Sequence, residues 1–292
     1  TWRACSPRSA SGSWTWPMPE FEDMDAATLR DVLRVVREHT GIDMVEAKKT
    51  MLQARLRPRM RSLQLGSYAE YLRRLRDDPS EQQRFIDVVT THQTSFFRTP
   101  KVWQYVREQF LPDWAERHPG RSLRVWSAAA STGEEACTIA ICCEEMRRQQ
   151  PAFDYEIVGT DISTDVVAQA RSGRYEGSAV QVFRAAEPML FERYNAADTP
   201  TQFMLPAAVR SRMAFSAHNL LLPPPWQDAF DVVFLRNVLI YFNTADSLRI
   251  VRHIAPALRG PGVLVIGESE SLASADVPFQ FVRPQVYERP CG

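Results

Sequence analysis

The residues best able to do chemistry surround one stretch, Arg124-Val125-Trp126-Ser127-Ala128-Ala129-Ala130-Ser131-Thr132-Gly133-Glu134-Glu135. Residues 124–130 read as a strand whose side chains shrink towards its carboxyl end. Ser131-Thr132-Gly133 reads as a turn, and Glu134-Glu135 opens a helix to about Arg147. Small residues let a ligand approach the backbone, and glycine permits a tight turn at positive φ. The turn lacks both a G-x-G-x-x-G pattern and a lysine, and its two carboxylates repel phosphate. A ligand with a cationic end fits better. Read alone, the stretch could also be a plain structural turn between strand and helix.

Further polar residues fall at comparable places. Asp161 closes a strand over residues 155–160, where an acid characteristically takes ribose hydroxyls. Asn219 and Leu220 follow a strand at 212–217, and Arg236-Asn237 follow one at 230–235. A nucleoside lying across the carboxyl ends of these strands would meet all of them. Upstream, His92, Thr94 and Arg98 form a polar cluster of the sort that lines a ligand mouth, although a lone histidine is more often structural.

These groups require a scaffold, and the hydrophobic pattern supplies one. From residue 124 onward, apolar strands alternate with helices at 134–147, 164–171 and about 244–258. Gly260-Pro261-Gly262 reads as a turn into a strand at 263–267, and residues 279–288 as a hairpin. This implies an α/β fold with a mainly parallel sheet covered on both faces and an antiparallel edge. Phe191, Tyr194, Phe203, Met204 and Leu205 suit short strands around the turn Asn195–Pro200, giving a small antiparallel β-subdomain inserted at about 187–213, between a helix near 180–194 and the strand at 212–217. A helix is expected at 102–118. Residues 24–98 are helical in pattern, with four or five helices: Thr40-Gly41 ends the first, Pro58 interrupts or ends the second, Ser67 caps the third, and Asp77-Asp78-Pro79-Ser80 opens the fourth. The expected division is a disordered or vector-derived tail at 1–20, in which Trp14 and Trp16 could dock on the fold, an all-α domain at 21–98, and an α/β domain at 99–292.

The 292 residues carry 35 basic and 35 acidic side chains, so net charge names no partner. Apolar content of 45% and charged content of 24% are ordinary for a globular protein. Local asymmetry says more: between Lys48 and Arg76 there are nine basic residues and one acid, Glu70. Arg55, Arg59 and Arg61 fall near one another on the second helix, with few local acids to neutralise them. They form either a solvated face or a docking surface for an acidic protein helix. Nucleic acid is the weaker partner, because no binding-module motif accompanies them. The five cysteines show no C-x-x-C, and three sit on the helix after Gly133 as small core residues. With no apolar run near membrane-spanning length and no leader, a cytoplasmic protein is expected.

Five motifs together resemble the chemotaxis-receptor methyltransferase family (CheR-like). They are Thr-His-Gln-Thr-Ser-Phe-Phe-Arg (91–98), the stretch 124–135, Thr-Asp-Ile-Ser (160–163), Ala-Arg-Ser-Gly-Arg-Tyr (170–175) and Phe-Asp-Val-Val-Phe-Leu-Arg-Asn-Val-Leu-Ile-Tyr-Phe (230–242). The resemblance spans about residues 24 to 289. It implies an all-α domain joined to a class I, Rossmann-like methyltransferase domain with a β-subdomain. It further implies S-adenosylmethionine as methyl donor, S-adenosylhomocysteine as product, and glutamates on cytoplasmic helices of methyl-accepting chemoreceptors as substrate. By motif match, His92, Thr94, Arg98 and Glu135 would hold the methionine end, Asp161 the ribose, and Asn219 with Leu220 the adenine. Arg236 and Asn237 would line the crevice, with Arg98 and Tyr241 facing the methyl group and the incoming carboxylate. No metal, nucleic acid or membrane insertion is expected, and the chain is expected to act as a monomer.

The chain also departs from relatives. Ala136-Cys137-Thr138 stands where many carry Pro-Tyr-Ser, and Gly267-Glu268-Ser269-Glu270 resembles their Gly-His-Ser-Glu with Glu268 in the histidine position. Relatives that tether to a receptor's C-terminal pentapeptide add it as a strand beside a glycine-containing loop. Here the loop has no glycine between Tyr194 and Phe203 and contains Pro200, so a pentapeptide-independent enzyme is expected.

Overall fold

The computed structural model describes residues 23–272 and 276–290. The expected tail at 1–20, with Trp14 and Trp16, lies outside the described residues. The chain begins with α1 (Ala26–Thr40), α2 (Lys49–Ser62), α3 (Tyr68–Asp77) and α4 (Pro79–Val89). Capping chemistry sets these boundaries. Asp25 accepts the Thr28 amide at the start of α1, and Gly41 ends it in the left-handed conformation at φ 74°. Ser67 and Glu70 form a reciprocal capping box on α3. Asp78 caps α4, and Pro79 takes the first helical position, where no amide is needed. Pro58 neither interrupts nor ends the second helix, which runs through it to Ser62. Val36, Leu52, Leu56, Tyr71 and Phe85 close an apolar core among the four helices.

After a non-helical segment at 90–98, α5 (Pro100–Tyr105), a π turn (Val106–Phe110) and α6 (Leu111–Arg117) lead to the sheet. Its strands are β1 (Ser122–Ser127), β2 (Asp154–Asp161), β5 (Met213–Ala217), β6 (Phe230–Leu235), β7 (Leu258–Ile266), β8 (Gln280–Arg283) and β9 (Val286–Arg289). Their order is β5-β2-β1-β6-β7-β9-β8. The first five run parallel, and β9 is antiparallel to both of its neighbours. This is the class I sheet that the resemblance implies. Adjacent residues point to opposite faces: Val125 joins a core with Trp103, Ile139 and Phe234, whereas Trp126 joins one with Val233, Ile250 and Leu264. Helix α7 (Glu134–Gln149) covers the first face and α12 (Thr244–Ile254) the second. Burial pushes the thiols of Cys137 and Cys142 on α7 up to about 12, which leaves them unreactive core residues.

Three expected boundaries are corrected. β1 stops at Ser127, and Ala128–Ala130 leave the sheet while still donating from Ala128 N to Phe234 O and from Ala130 N to Thr160 O. Gly260-Pro261-Gly262 lies within β7, where a bulge opposite Phe230–Val232 absorbs it. The small sheet pairs β4 (Gln202–Met204) with β3 (Arg174–Glu176), upstream of the expected insertion. Phe191 and Tyr194 belong to α10 (Pro188–Tyr194), within the helix expected near 180–194 and not in a strand, because Leu190, Phe191 and Tyr194 repeat at helical spacing behind an N-terminal proline.

Candidate active site

A cavity of about 500 Å3 opens at the carboxyl ends of β1, β2, β5 and β6. Its floor comes from the sheet and its roof from the end of α1, the connection to α2 and the first turn of α2, where Thr40, Ile42, Met44, Val45, Lys48 and Met51 line it. The roof is fastened to the floor: Asp43 N donates to Tyr241 O at 2.8 Å, and Arg37 pairs with Asp246 at 2.8 Å. Gly41 permits the close approach, since a Cβ there would lie 2.2 Å from Leu221 Cδ1. His92, Thr94, Arg98, Glu135 and Asp161 all line this cavity, as do Asn219, Leu220, Arg236, Asn237 and Tyr241.

Charges are placed in pairs. Arg236, its side chain 2% exposed, donates from Nη1 to Glu135 Oε2 at 2.9 Å and from Nη2 to Arg98 O at 2.8 Å. Ser127 Oγ donates to the other oxygen of Glu135 at 2.7 Å. The Arg236 guanidinium also lies 5.3 Å from the centre of the Trp103 ring. Glu134, its twin, does not line the cavity. Thr132 Oγ1 donates to it at 2.6 Å, and burial raises its carboxyl above the usual range. Arg98 itself donates from Nη1 to Gln93 O at 2.8 Å.

The Asp161 carboxylate has partners within the chain, which its sequence position does not reveal. Ser131 N donates to Oδ2 at 2.9 Å, Ser163 N donates to Oδ1 at 3.1 Å, and His92 Nδ1 lies 4.0 Å away. Burial pushes the Asp161 carboxyl up, against the attraction of His92 and the amides, and pushes the His92 imidazole down. Both oxygens retain lone pairs for a ligand, because a carboxylate offers about four acceptor sites.

The wall from Arg236 to Tyr241 is shaped by its backbone. Asn237 adopts φ 56°, a conformation that asparagine tolerates better than most residues, and Leu239–Tyr241 form a 3-10 turn. Glu270, unassigned by the sequence reading, accepts the amides of Asn237, Val238 and Leu239. Glu268, which stands in the position of the relatives' histidine, is exposed and does not line the cavity.

Among the described residues, three buried polar atoms on the cavity lining have no hydrogen-bond partner: Ser131 Oγ, His218 Nε2 and Arg236 Nε. A small polar ligand would satisfy such atoms, and the volume lies in the range of cofactor pockets. With both carboxylates and guanidinium groups present, the lining suits a ligand that carries an amino acid and a nucleoside. Ser131, His218 and the roof were not singled out from sequence. Ser131 sits in the glycine turn and His218 at a strand end, so position was the available signal. The roof residues carry none. No cluster able to hold a metal ion occurs among the described residues.

The arginines of α2 are more engaged than expected. Arg59 forms a two-point ion pair with buried Glu81, at 3.0 Å and 2.5 Å, and Tyr71 Oη donates to the same carboxylate at 2.8 Å. Arg55 donates to the carbonyls of Val89 and Thr90, each at 2.8 Å. The acid that neutralises Arg59 lies on α4, outside the local window. Arg61 is the exposed member of the three.

Comparison with known proteins identifies the family. A family model described as "CheR methyltransferase, SAM binding domain" matches residues 92–287, and one described as "CheR methyltransferase, all-alpha domain" matches residues 27–90. The chain is 34% identical over 283 residues to chemotaxis protein methyltransferase 2 of Pseudomonas aeruginosa, covering 93% of this chain and 97% of that protein. It is 34% identical over 272 residues to the chemotaxis protein methyltransferase of Salmonella typhimurium, covering 89% of each. It is 33% identical over 281 residues to that of Escherichia coli, covering 92% and 93%. A SAM-binding domain whose cavity sits at the carboxyl ends of a class I sheet, preceded by a matching all-alpha domain, makes this chain a member of the CheR methyltransferase family.

Proposed function

We propose that this chain transfers methyl groups from S-adenosylmethionine to glutamate carboxylates on the cytoplasmic helices of chemoreceptors, acting as a monomer in the cytoplasm. The observation that carries the reading is the cavity lining, where paired charges and unpartnered polar atoms gather at the ends of four parallel strands. When bound, S-adenosylmethionine supplies an electrophilic methyl group to a carboxylate that is already ionised at neutral pH, so no general base is needed. His92, Thr94, Arg98 and Glu135 hold the methionine end, with Arg236 fixing the Glu135 carboxylate. Asp161 takes the ribose, and Asn219 and Leu220 flank the adenine. Asn237 lines the crevice, and Arg98 with Tyr241 orients the incoming carboxylate. The roof residues Ile42, Met44 and Met51 exclude water, which favours a reaction that neutralises charge. The basic face of α2 then meets the receptor, with Arg61 its exposed member and Arg55 and Arg59 behind it.

Receptor recognition is independent of a C-terminal pentapeptide. Gln202 and Met204 on β4 have their backbone groups occupied by the preceding loop. Gln202 N donates to Thr199 O, Asn195 Nδ2 to Gln202 O, Met204 N to Asn195 Oδ1 and Ala196 N to Met204 O. An incoming strand needs such groups free. Methyl transfer to a purified receptor cytoplasmic fragment, with and without its C-terminal tail, tests both parts. Equal transfer to both fragments is expected. No transfer to either would leave a cofactor-binding adaptor or another methyl acceptor as the reading, and transfer only to the tailed fragment would overturn tail independence.

A further inference from the structure

Four backbone amides from two loops converge on one carboxylate. Gly267 N and Asn237 N donate to Glu270 Oε2 at 2.5 Å and 3.0 Å, while Val238 N and Leu239 N donate to Oε1 at 2.8 Å and 2.7 Å. Gly267 follows β7 and Asn237 follows β6, so Glu270 ties together the carboxyl ends of two adjacent strands. Hydrogen bonds to an ionised acceptor are about twice as strong as neutral ones. Without the carboxylate, amides pointing inward from both loops would face one another with no counter-charge. The bonded segment is the one that begins at Arg236 and ends in the turn bearing Tyr241, and its Asn237 is held at φ 56°. Glu270 does not itself line the cavity.

We propose that Glu270 is a positioning residue for methyl transfer. It fixes the backbone from Asn237 to Leu239 and thereby sets where the Asn237 and Tyr241 side chains stand on the cavity wall. The inference rests on the methyltransferase reading above. Gly267 is the complementary half of the device: a Cβ there would lie 2.7 Å from Glu270 Oε2 and 2.8 Å from both Asn237 N and Asn237 Nδ2. Gly267→Ala therefore pushes on the same nest without changing charge, and Glu270→Gln replaces an acceptor oxygen by a donor that faces other donors. Glu270→Asp keeps the charge but is one methylene short.

The test uses the full chain, a radiolabelled methyl donor and a receptor cytoplasmic fragment, with calorimetric titration of S-adenosylhomocysteine. Glu270→Gln and Gly267→Ala should each lower kcat at saturation by about tenfold or more, the scale of an active-site misplacement below 1 Å. Both should weaken S-adenosylhomocysteine about threefold or more, while receptor KM stays within about twofold. Glu270→Asp should recover part of the loss. Asp231→Asn serves as a stability control, because Asp231 holds Arg121, Arg259 and the Arg124 amide at the far end of β6. Wild-type kcat and cofactor affinity in folded Glu270→Gln and Gly267→Ala would overturn the proposal, as would losses no larger than those of Asp231→Asn. If the wild type transfers no methyl group, the functional reading fails, and the cofactor titration decides the positioning role alone.

Discussion

Arg236 and Glu135 meet at 2.9 Å across the mouth of the sheet, one following β6 and the other opening α7, and the same guanidinium reaches the Arg98 carbonyl. One buried cation thus sets the relative positions of three segments of the cavity. Arg236→Ala leaves Glu135 with one partner in a site where its side chain is only 12% exposed. Unfolding free energy should fall by about 3–5 kcal/mol, the cost of breaking a buried pair. Arg236→Lys should keep part of that stability and lose the two-directional contact. Urea unfolding of the three proteins checks the order.

Asp161 joins the proposed ribose contact to the glycine turn through Ser131 N. Asp161→Ala should weaken S-adenosylmethionine binding by about 1–3 kcal/mol, the cost of an unmet buried partner. Because the Ser131 and Ser163 amides also lose their acceptor, thermal stability should drop as well. Asp161→Asn, which keeps an acceptor, should lose less stability. Calorimetry showing unchanged affinity in Asp161→Ala would remove the residue from the site.

Stability should also depend on pH through His218. Burial, and secondarily His253, lower its imidazole below the usual value, so the unfolded chain binds a proton more readily than the folded one. The contribution is therefore fully present above the unfolded value of about 6.5 and is lost as pH falls through that value towards the lower folded one. His218→Gln should flatten the decline in the urea midpoint between about pH 7.5 and 5.5. An unchanged decline would assign it to other groups.

Receptor docking and folding can be separated on α2. Arg59→Glu sets a second carboxylate against buried Glu81 and should cost about 3 kcal/mol, near the low end for a buried pair because Arg59 is 30% exposed. Arg61→Glu, at the exposed member of the three, should cost less stability than Arg59→Glu and raise the receptor KM, with a salt-dependent wild-type KM. A salt-insensitive KM, unmoved in Arg61→Glu, would make the basic face a solvated surface.

Much of this architecture was legible because its signals are local. The apolar run Val232–Leu235, with Phe230 just before Asp231, reads as a buried strand without reference to any partner, and it is one. Ser67, Asp78 and Gly41 announce helix ends by their own chemistry. What was missed depends on distant pairing. Glu81 meets Arg59 from another helix, and no charge count within the basic window includes it. Glu270 serves backbone amides more than thirty positions away, and amide donors leave no trace in residue types. Strand β3 is three residues long with only Tyr175 buried, too short to display a period.

The roof over the cavity has a thermodynamic meaning beyond shelter. Residues from Thr40 to Met51 border the helical core and the opposite wall stands on the sheet, so a ligand in the cavity would lie against elements of two hydrophobic cores. Such a ligand acts as a clasp. Every increment of binding free energy is added to the association of the two layers as well as to the fold of each. Saturation should fuse their melting into a single cooperative event, and removal of the helical layer would take the roof of the binding surface with it.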